Sequence, residues 1–315
     1  MTPRRLTIRQ LPVVLPPLAD ELLSSWIGRH ASFYGVTGGR LLRHCALEAT
    51  SLRELDLKLA SHDQRQLAHL LRYDPYVIRN MTQSRGWSHP AGLIATMRPM
   101  QVCRRCSTRH SAESATRGAR LRSWMEGWRL GCPVCGAPMI DARPFDLLVR
   151  PDPANSLLAS VAEPARQGEQ IMTRAVRMGG RGHPLLVLMR NLLLPRASHM
   201  RGGSFADEIP RLLDVVLPGF DRFLYRFYPG FKRSGTLLLP LSIRIPVLAG
   251  VARVASQPDY WADRLLGAMS EIARPRFTEC LEGLMAGGAW RRGLSAIRSQ
   301  GAVAQGRSSH LLAHN

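Results

Sequence analysis

The chain has 315 residues, 45% of them hydrophobic, enough to bury a sizeable core in roughly two or three domains, which excludes a wholly disordered protein. It carries 43 Lys and Arg against 23 Asp and Glu, a formal charge of +20. Only Lys58 and Lys232 are lysines, so 43 − 2 leaves 41 arginines; guanidinium groups grip phosphates bidentately and stack on bases, so nucleic acid is the first partner class, an arginine-rich genome accounting for part of the bias.

The start, MTPRRLTIRQLP, is basic without an apolar core and is not expected to be a secretory signal. Pro12, Pro16 and Pro17 then make an extended lead, since proline disfavours helix. Asp20 reads as an N-cap and Glu21 as a first-turn acid of a helix carrying Leu22, Leu23, Trp26, Ile27 and Phe33 or Tyr34 on one face. Gly35 ends it, and Trp26 reads as a core anchor. A second helix is expected over about 39–49, and SLRELDLKLA is ambiguous between helix and strand. Ser61 and Gln64 match a capping box ahead of Leu67, Ala68, Leu70 and Leu71. Asp74 and Pro75 form the cap and first position of another helix, with Val77, Ile78 and Met81 on one face. The two helices are a helix-turn-helix candidate, in which Arg79, Asn80, Gln83 and Arg85 would face nucleic acid. The competing reading is a helix pair whose polar outer face binds nothing.

Trp87, His89 and Pro90 mark the end of this N-terminal helical domain, residues 1–95, and a metal module is expected over 96–142. Its core is CRRC, 25 further residues, and CPVC. Each Cys-x-x-Cys places two sulfurs on one tight turn, and two such turns close a tetrahedron around Zn²⁺, so Cys103, Cys106, Cys132 and Cys135 are the candidate ligands. Pro133 and Gly136 suit the second knuckle. With four protein ligands no position is left for a substrate water, which favours scaffolding over catalysis. The same cysteines would serve two disulfides, for which nothing in the sequence indicates an oxidising compartment, or an iron–sulfur cluster. Arg104, Arg105 and Arg109 can offset the negative charge of four thiolates, and His110 is an alternative ligand expected to lie exposed beside the knuckle. Trp124 and Trp128 read as neighbours on a helical turn or as packing over the metal.

Pro144, Pro151 and Pro153 open a linker into a helical domain over 143–286, with helices from Ser156 onward, a breaker run GGRGHP, and DYWADRLLGAMSEIA, begun at Pro258 and stopped by Pro275, as its last long helix. Residues 287–315 read as a flexible basic tail. The longest apolar run, Leu237–Val251, contains Pro240, Arg244 and Pro246 and cannot span a bilayer. The fold class is therefore mainly α: multi-helical modules, one helix-turn-helix-like, around a small four-cysteine zinc finger. Cys45 and Cys280 read as buried thiols in a reducing cytoplasm. Walker, dinucleotide-binding, zincin and nucleophile-elbow motifs are absent, so no catalytic residues are assigned.

Two stretches together resemble one family. LPPLADELLSSWIGRHASFYG is similar to the opening signature of TniQ proteins at Pro17, Glu21, Leu23, Ser25, Trp26, Arg29, Tyr34 and Gly35. CRRC and CPVCGAPM, around a Trp-containing segment, are similar to that family's zinc finger, and LAHLLRYDPYVIRNMT resembles the helical segment ahead of it. The family often has His at the fourth ligand position, where this chain has Cys135, and no further Cys/His pair follows. The resemblance covers about residues 10–140. It implies a non-catalytic adaptor in bacterial DNA transposition that links target selection, by DNA or by a CRISPR effector complex, to an AAA+ regulator of the TnsC or TniB kind and to a transposase. Dimerisation is left open. The alternative is a zinc-containing helix-turn-helix transcriptional regulator acting as a dimer, and a third reading is a nuclease with dispersed acidic residues.

Overall fold

A computed structural model describes residues 10–83, 93–95, 98–142, 156–178, 184–196, 211–229, 231, 239–269, 271 and 274–286. Among them the chain is mainly α, with thirteen α-helices and one two-stranded sheet. It divides into two compact units: Met1–Val149 with Val176–Arg181 and Ser234–Arg244, and Arg150–Ala175 with Gly182–Arg233 and Ile245–Asn315.

The first unit opens with α1 (Leu23–Phe33), α2 (Gly38–His44), α3 (Leu52–Leu57), α4 (Ser61–Leu71) and α5 (Pro75–Asn80). Their apolar faces converge on one core that includes Leu23, Trp26, Ile27, Leu42, Leu55, Leu67, Leu70, Leu71 and Ile78. Trp26 is fully buried, with its Nε1 donating to the Leu15 carbonyl at 2.7 Å and its ring edge-on to His30 and Tyr73. The proline-rich lead is thereby tied to α1. His30 is also satisfied: Leu15 N donates to its Nε2 at 3.0 Å, and its Nδ1 lies 2.9 Å from the Trp26 carbonyl. Gly35 ends α1 at φ 65°, as a left-handed stop requires.

Two expected caps are not formed. Asp20 sits at φ 60° before the helix, and Leu22 occupies the N-cap position. The orphan amide of Ser24 is met instead by Asp56 Oδ1 of α3 at 2.9 Å, a cap supplied from elsewhere in the chain. At α4 the N-cap is Ala60, Ser61 is already helical, and Gln64 Nε2 donates to the Pro75 carbonyl at 2.8 Å rather than closing a capping box. The Asp74–Pro75 start of α5 is as read, with Asp74 Oδ1 accepting from Tyr76 N at 2.6 Å. SLRELDLKLA resolves to helix because Ser51 caps it, accepting from Glu54 N at 3.3 Å.

The second unit holds most of α7 (Ser156–Met178), α8 (Pro184–Asn191), α9 (Leu212–Val216), α10 (Phe220–Phe227), α11 (Leu241–Ser256) beyond Arg244, α12 (Pro258–Ala268) and α13 (Arg274–Ala286). Gly168 of α7 meets the backbone of α11 so closely that a Cβ would lie 2.0 Å from the Leu248 carbonyl oxygen. The helix expected to run through DYWADRLLGAMSEIA ends at Ala268. Pro275 does not stop a helix; it stands in the first turn of α13, which the sequence reading missed, at a position where a missing N–H costs nothing. Cys45 and Cys280 are buried free thiols, and burial pushes them up to about 11 and about 12.

Candidate metal centre

The four cysteines are brought together by very little regular structure. β1 (Gln101–Val102) pairs antiparallel with β2 (Ile140–Asp141), Gln101 opposite Asp141. Cys103 follows β1 as the N-cap of α6 (Arg104–Ala112), and Cys106 lies in that helix's first turn, with Ser107 N donating to the Cys103 carbonyl at 2.9 Å. The second knuckle is a turn closed by Gly136 N to the Cys132 carbonyl at 2.8 Å, with Gly136 at φ 73°, a conformation that favours glycine. Cys132 N donates to the Ala137 carbonyl, also at 2.8 Å.

The resulting sulfur geometry fits one ion. Cys103 Sγ and Cys135 Sγ are 3.4 Å apart, Cys106 Sγ and Cys132 Sγ 3.7 Å, and all four lie within 4.8 Å of one another. Tetrahedral Zn–S bonds of about 2.3 Å place sulfurs about 3.8 Å apart. All four are free thiols, so neither disulfide is formed. Cys103, Cys106 and Cys132 are buried and Cys135 is half-buried. Burial raises the Cys106 and Cys132 thiols, whereas the Ala137 amide draws Cys135 down to about 7. When bound, a divalent metal would supply the cross-link between the knuckles and keep the thiolates deprotonated.

His110 departs from expectation. It is only 5% exposed, its ring is 6.5 Å from that of Trp124, and it is not among the four clustered ligands. Trp124 belongs to a 3₁₀ turn, Arg122–Met125, and packs in the apolar cluster around the cysteines. Trp128 lies outside that turn, so the pair does not share one, although both are buried. Arg104, Arg105 and Arg109 stand exposed on α6, the helix that carries Cys106.

Sequence reasoning did not foresee how the opening stretch and the knuckles join. Glu21 and Arg29, 2% and 5% exposed, form a bidentate pair: Arg29 Nε to Oε1 at 2.8 Å and Nη2 to Oε2 at 2.7 Å. Arg29 also donates to the carbonyls of Pro16 at 2.8 Å and Ala115 at 2.7 Å. Ser25 Oγ donates to Glu21 at 2.9 Å and accepts from Arg120 N at 2.8 Å, and Glu21 bridges to Leu121. Residues 115–121 lie between the knuckles, so Glu21, Ser25 and Arg29 fasten α1 to the metal module. The available signal was Glu21, Ser25 and Arg29 spaced four apart, one face of a helix.

The nucleic-acid candidates divide. Arg79 is exposed on α5. Asn80 is half-buried, and its carbonyl accepts from Arg122 Nη1 at 2.9 Å. Gln83 is half-buried; its N donates to the Asp56 carbonyl at 2.9 Å and its Nε2 points to the Arg122 carbonyl at 3.4 Å. Arg85, like Trp87, His89 and Pro90, lies outside the described residues.

Four clustered cysteines built into a helical domain could hold one metal ion with every ligand position filled by protein, the donor set of a structural site. Residues 12–147 match the TniQ family model. No curated protein and no solved structure matches the chain.

Proposed function

We propose that this chain is a non-catalytic adaptor of DNA transposition in the cytoplasm, with Zn²⁺ as the metal of its knuckles. The TniQ match implies a transposition-associated accessory role. The finer reading, an adaptor between target selection and an AAA+ regulator with its transposase, is supported by one observation above others: the metal site is saturated by protein sulfur and fastened to the family's opening segment, an arrangement suited to holding a surface in shape. Among the described residues no helix is long and apolar enough to cross a membrane.

DNA is engaged in this reading through phosphates. Arg79 on α5 and Arg104, Arg105, Arg109 and Arg117 of the metal module are all exposed and make the surface of the first unit a plausible path for a duplex. Asn80, Gln83 and Arg85 remain proposed contacts on the α4–α5 pair, Gln83 at the expense of its bond to Arg122. An RNA-guided effector in place of direct DNA contact would make the same adaptor indifferent to duplex DNA.

The test is paired. Neighbouring genes should encode an AAA+ regulator and a transposase that capture the purified chain, and deleting this gene should abolish targeted insertion. Duplex affinity should fall with salt at a log–log slope of about 0.9 per phosphate contact. A flat titration removes direct DNA binding; failure to capture the regulator removes the adaptor role.

A further inference from the structure

The residues that complete the metal module do not all lie in the part of the chain that carries the cysteines. Arg244, in the first turn of α11, is completely buried, and its guanidinium reaches into the metal module. Its Nη1 donates to Gln101 Oε1 at 2.6 Å and to the Arg129 carbonyl at 3.1 Å, and its Nη2 reaches Asp141 Oδ1 at 3.4 Å. These three acceptors are informative by position. Gln101 lies two residues before Cys103, Arg129 three before Cys132, and Asp141 six after Cys135. One guanidinium therefore holds the strand that enters the first knuckle, the segment that enters the second, and the strand that leaves it.

The network continues on both sides. Gln101 is itself fully buried, and its Nε2 donates to the carbonyls of Ser123 at 3.0 Å and Glu126 at 2.9 Å, fixing the turn that carries Trp124. Asp141 caps α11: both its oxygens accept from Leu241 N at 3.1 Å. Leu241 packs against the apolar cluster that contains Cys103, Cys106 and Cys132. Residues Ser234–Arg244 accordingly group with Met1–Val149 and not with the rest of α11. A planar fork with several fixed donors suits this task, which a lysine ammonium cannot reproduce.

We propose that Arg244 is a positioning residue for the four-cysteine centre: by fixing the chain on both sides of the knuckles it holds the sulfurs at the spacing a single divalent metal needs. It lies nearly a hundred residues beyond the last residue of the TniQ match at 147. The consequence is that the TniQ region alone binds metal more weakly than the whole chain does.

The test uses the full-length chain with Zn²⁺ in competition with a chromophoric chelator, and Co²⁺ as a spectroscopic probe of the sulfur tetrahedron. Arg244→Met should lower apparent Zn²⁺ affinity about tenfold, the low end of what outer partners of metal sites contribute, and weaken the tetrahedral Co²⁺ band. Arg253→Met is the control: Arg253 lies on the same helix but donates to the Val216 carbonyl at 2.9 Å, so its loss should lower thermal stability without moving either metal readout. Arg244→Lys should fall between wild type and Arg244→Met, and it carries the test if the methionine variant does not fold. Wild-type affinity and spectrum in a folded Arg244 variant would overturn the proposal, as would equal weakening by Arg253→Met. A wild-type chain that takes up no metal would overturn it together with the zinc assignment.

Discussion

The helices α1–α5 and the knuckle module are neighbours in one unit, yet different forces hold them. The helical part buries sixteen apolar residues in a single cluster around Trp26, whereas the cluster at the knuckles has six, three of them cysteine ligands. Apolar burial at roughly 25 cal/mol per Å² can maintain the first. The second, with two-residue strands and one nine-residue helix, is too small to persist on apolar burial alone, and a metal held by its four cysteines would supply the missing cross-link. The lesson is that one module can be dismantled while the other stands, provided the join at Glu21 and Arg29 is understood.

The largest effect should come from the ligands. Cys106→Ser or Cys132→Ser should release the metal and, with it, much of the 10–16 kcal/mol that structural zinc contributes in isolated fingers, about all the module has. Native mass spectrometry should register the loss of one ion, near-ultraviolet dichroism should lose the signal of Trp124 and Trp128, and most far-ultraviolet helicity should remain. Collapse of all helicity would mean the two modules fold only together. The join comes next: Glu21→Gln leaves the Arg29 charge buried without its carboxylate, at a cost of about 3–5 kcal/mol. A denaturation midpoint no more shifted than for a surface change, within about 0.5 kcal/mol, would show that the pair does not bind the modules together.

How much of this was legible depends on how local the cause is. The clustering of the four cysteines, the Asp74–Pro75 start of α5 and the Gly35 stop were readable because a few adjacent residues determine them. Asp20 and Ser61 misled because each has a capping residue type while the real donors and acceptors are distant: Asp20 accepts from Ser123 N at 3.0 Å and Arg122 at 3.0 Å instead. His110 was expected outside, and nothing in its immediate sequence announces that it is buried with its ring near Trp124. α13 was hidden because Pro275 was read as an ending, although proline begins helices as readily. Arg244 was read only as a charge that interrupts an apolar run; its three acceptors are more than one hundred residues away in sequence.

The smallest effect separates the modules by pH, because they respond with opposite sign. In the helical part, burial pushes the Asp56 carboxyl from 3.8 up to about 6, against the pull of its hydrogen bonds to Ser24. A folded value above the unfolded one means the folded chain binds the proton more tightly, so this stabilising term is complete below about pH 4 and is lost as pH rises through 6. At the knuckles acid acts the other way: protons compete with metal for sulfur, most strongly at Cys106 and Cys132, whose thiols burial raises. Asp56→Asn keeps an acceptor for Ser24 N and removes the titration. Its unfolding free energy relative to wild type should therefore climb between pH 4 and 7, by an amount on the order of 1–3 kcal/mol, while the pH of metal release stays where it was. A constant offset across that range would show that Asp56 is ionised with little penalty and that the helical core is less dry than its burial implies.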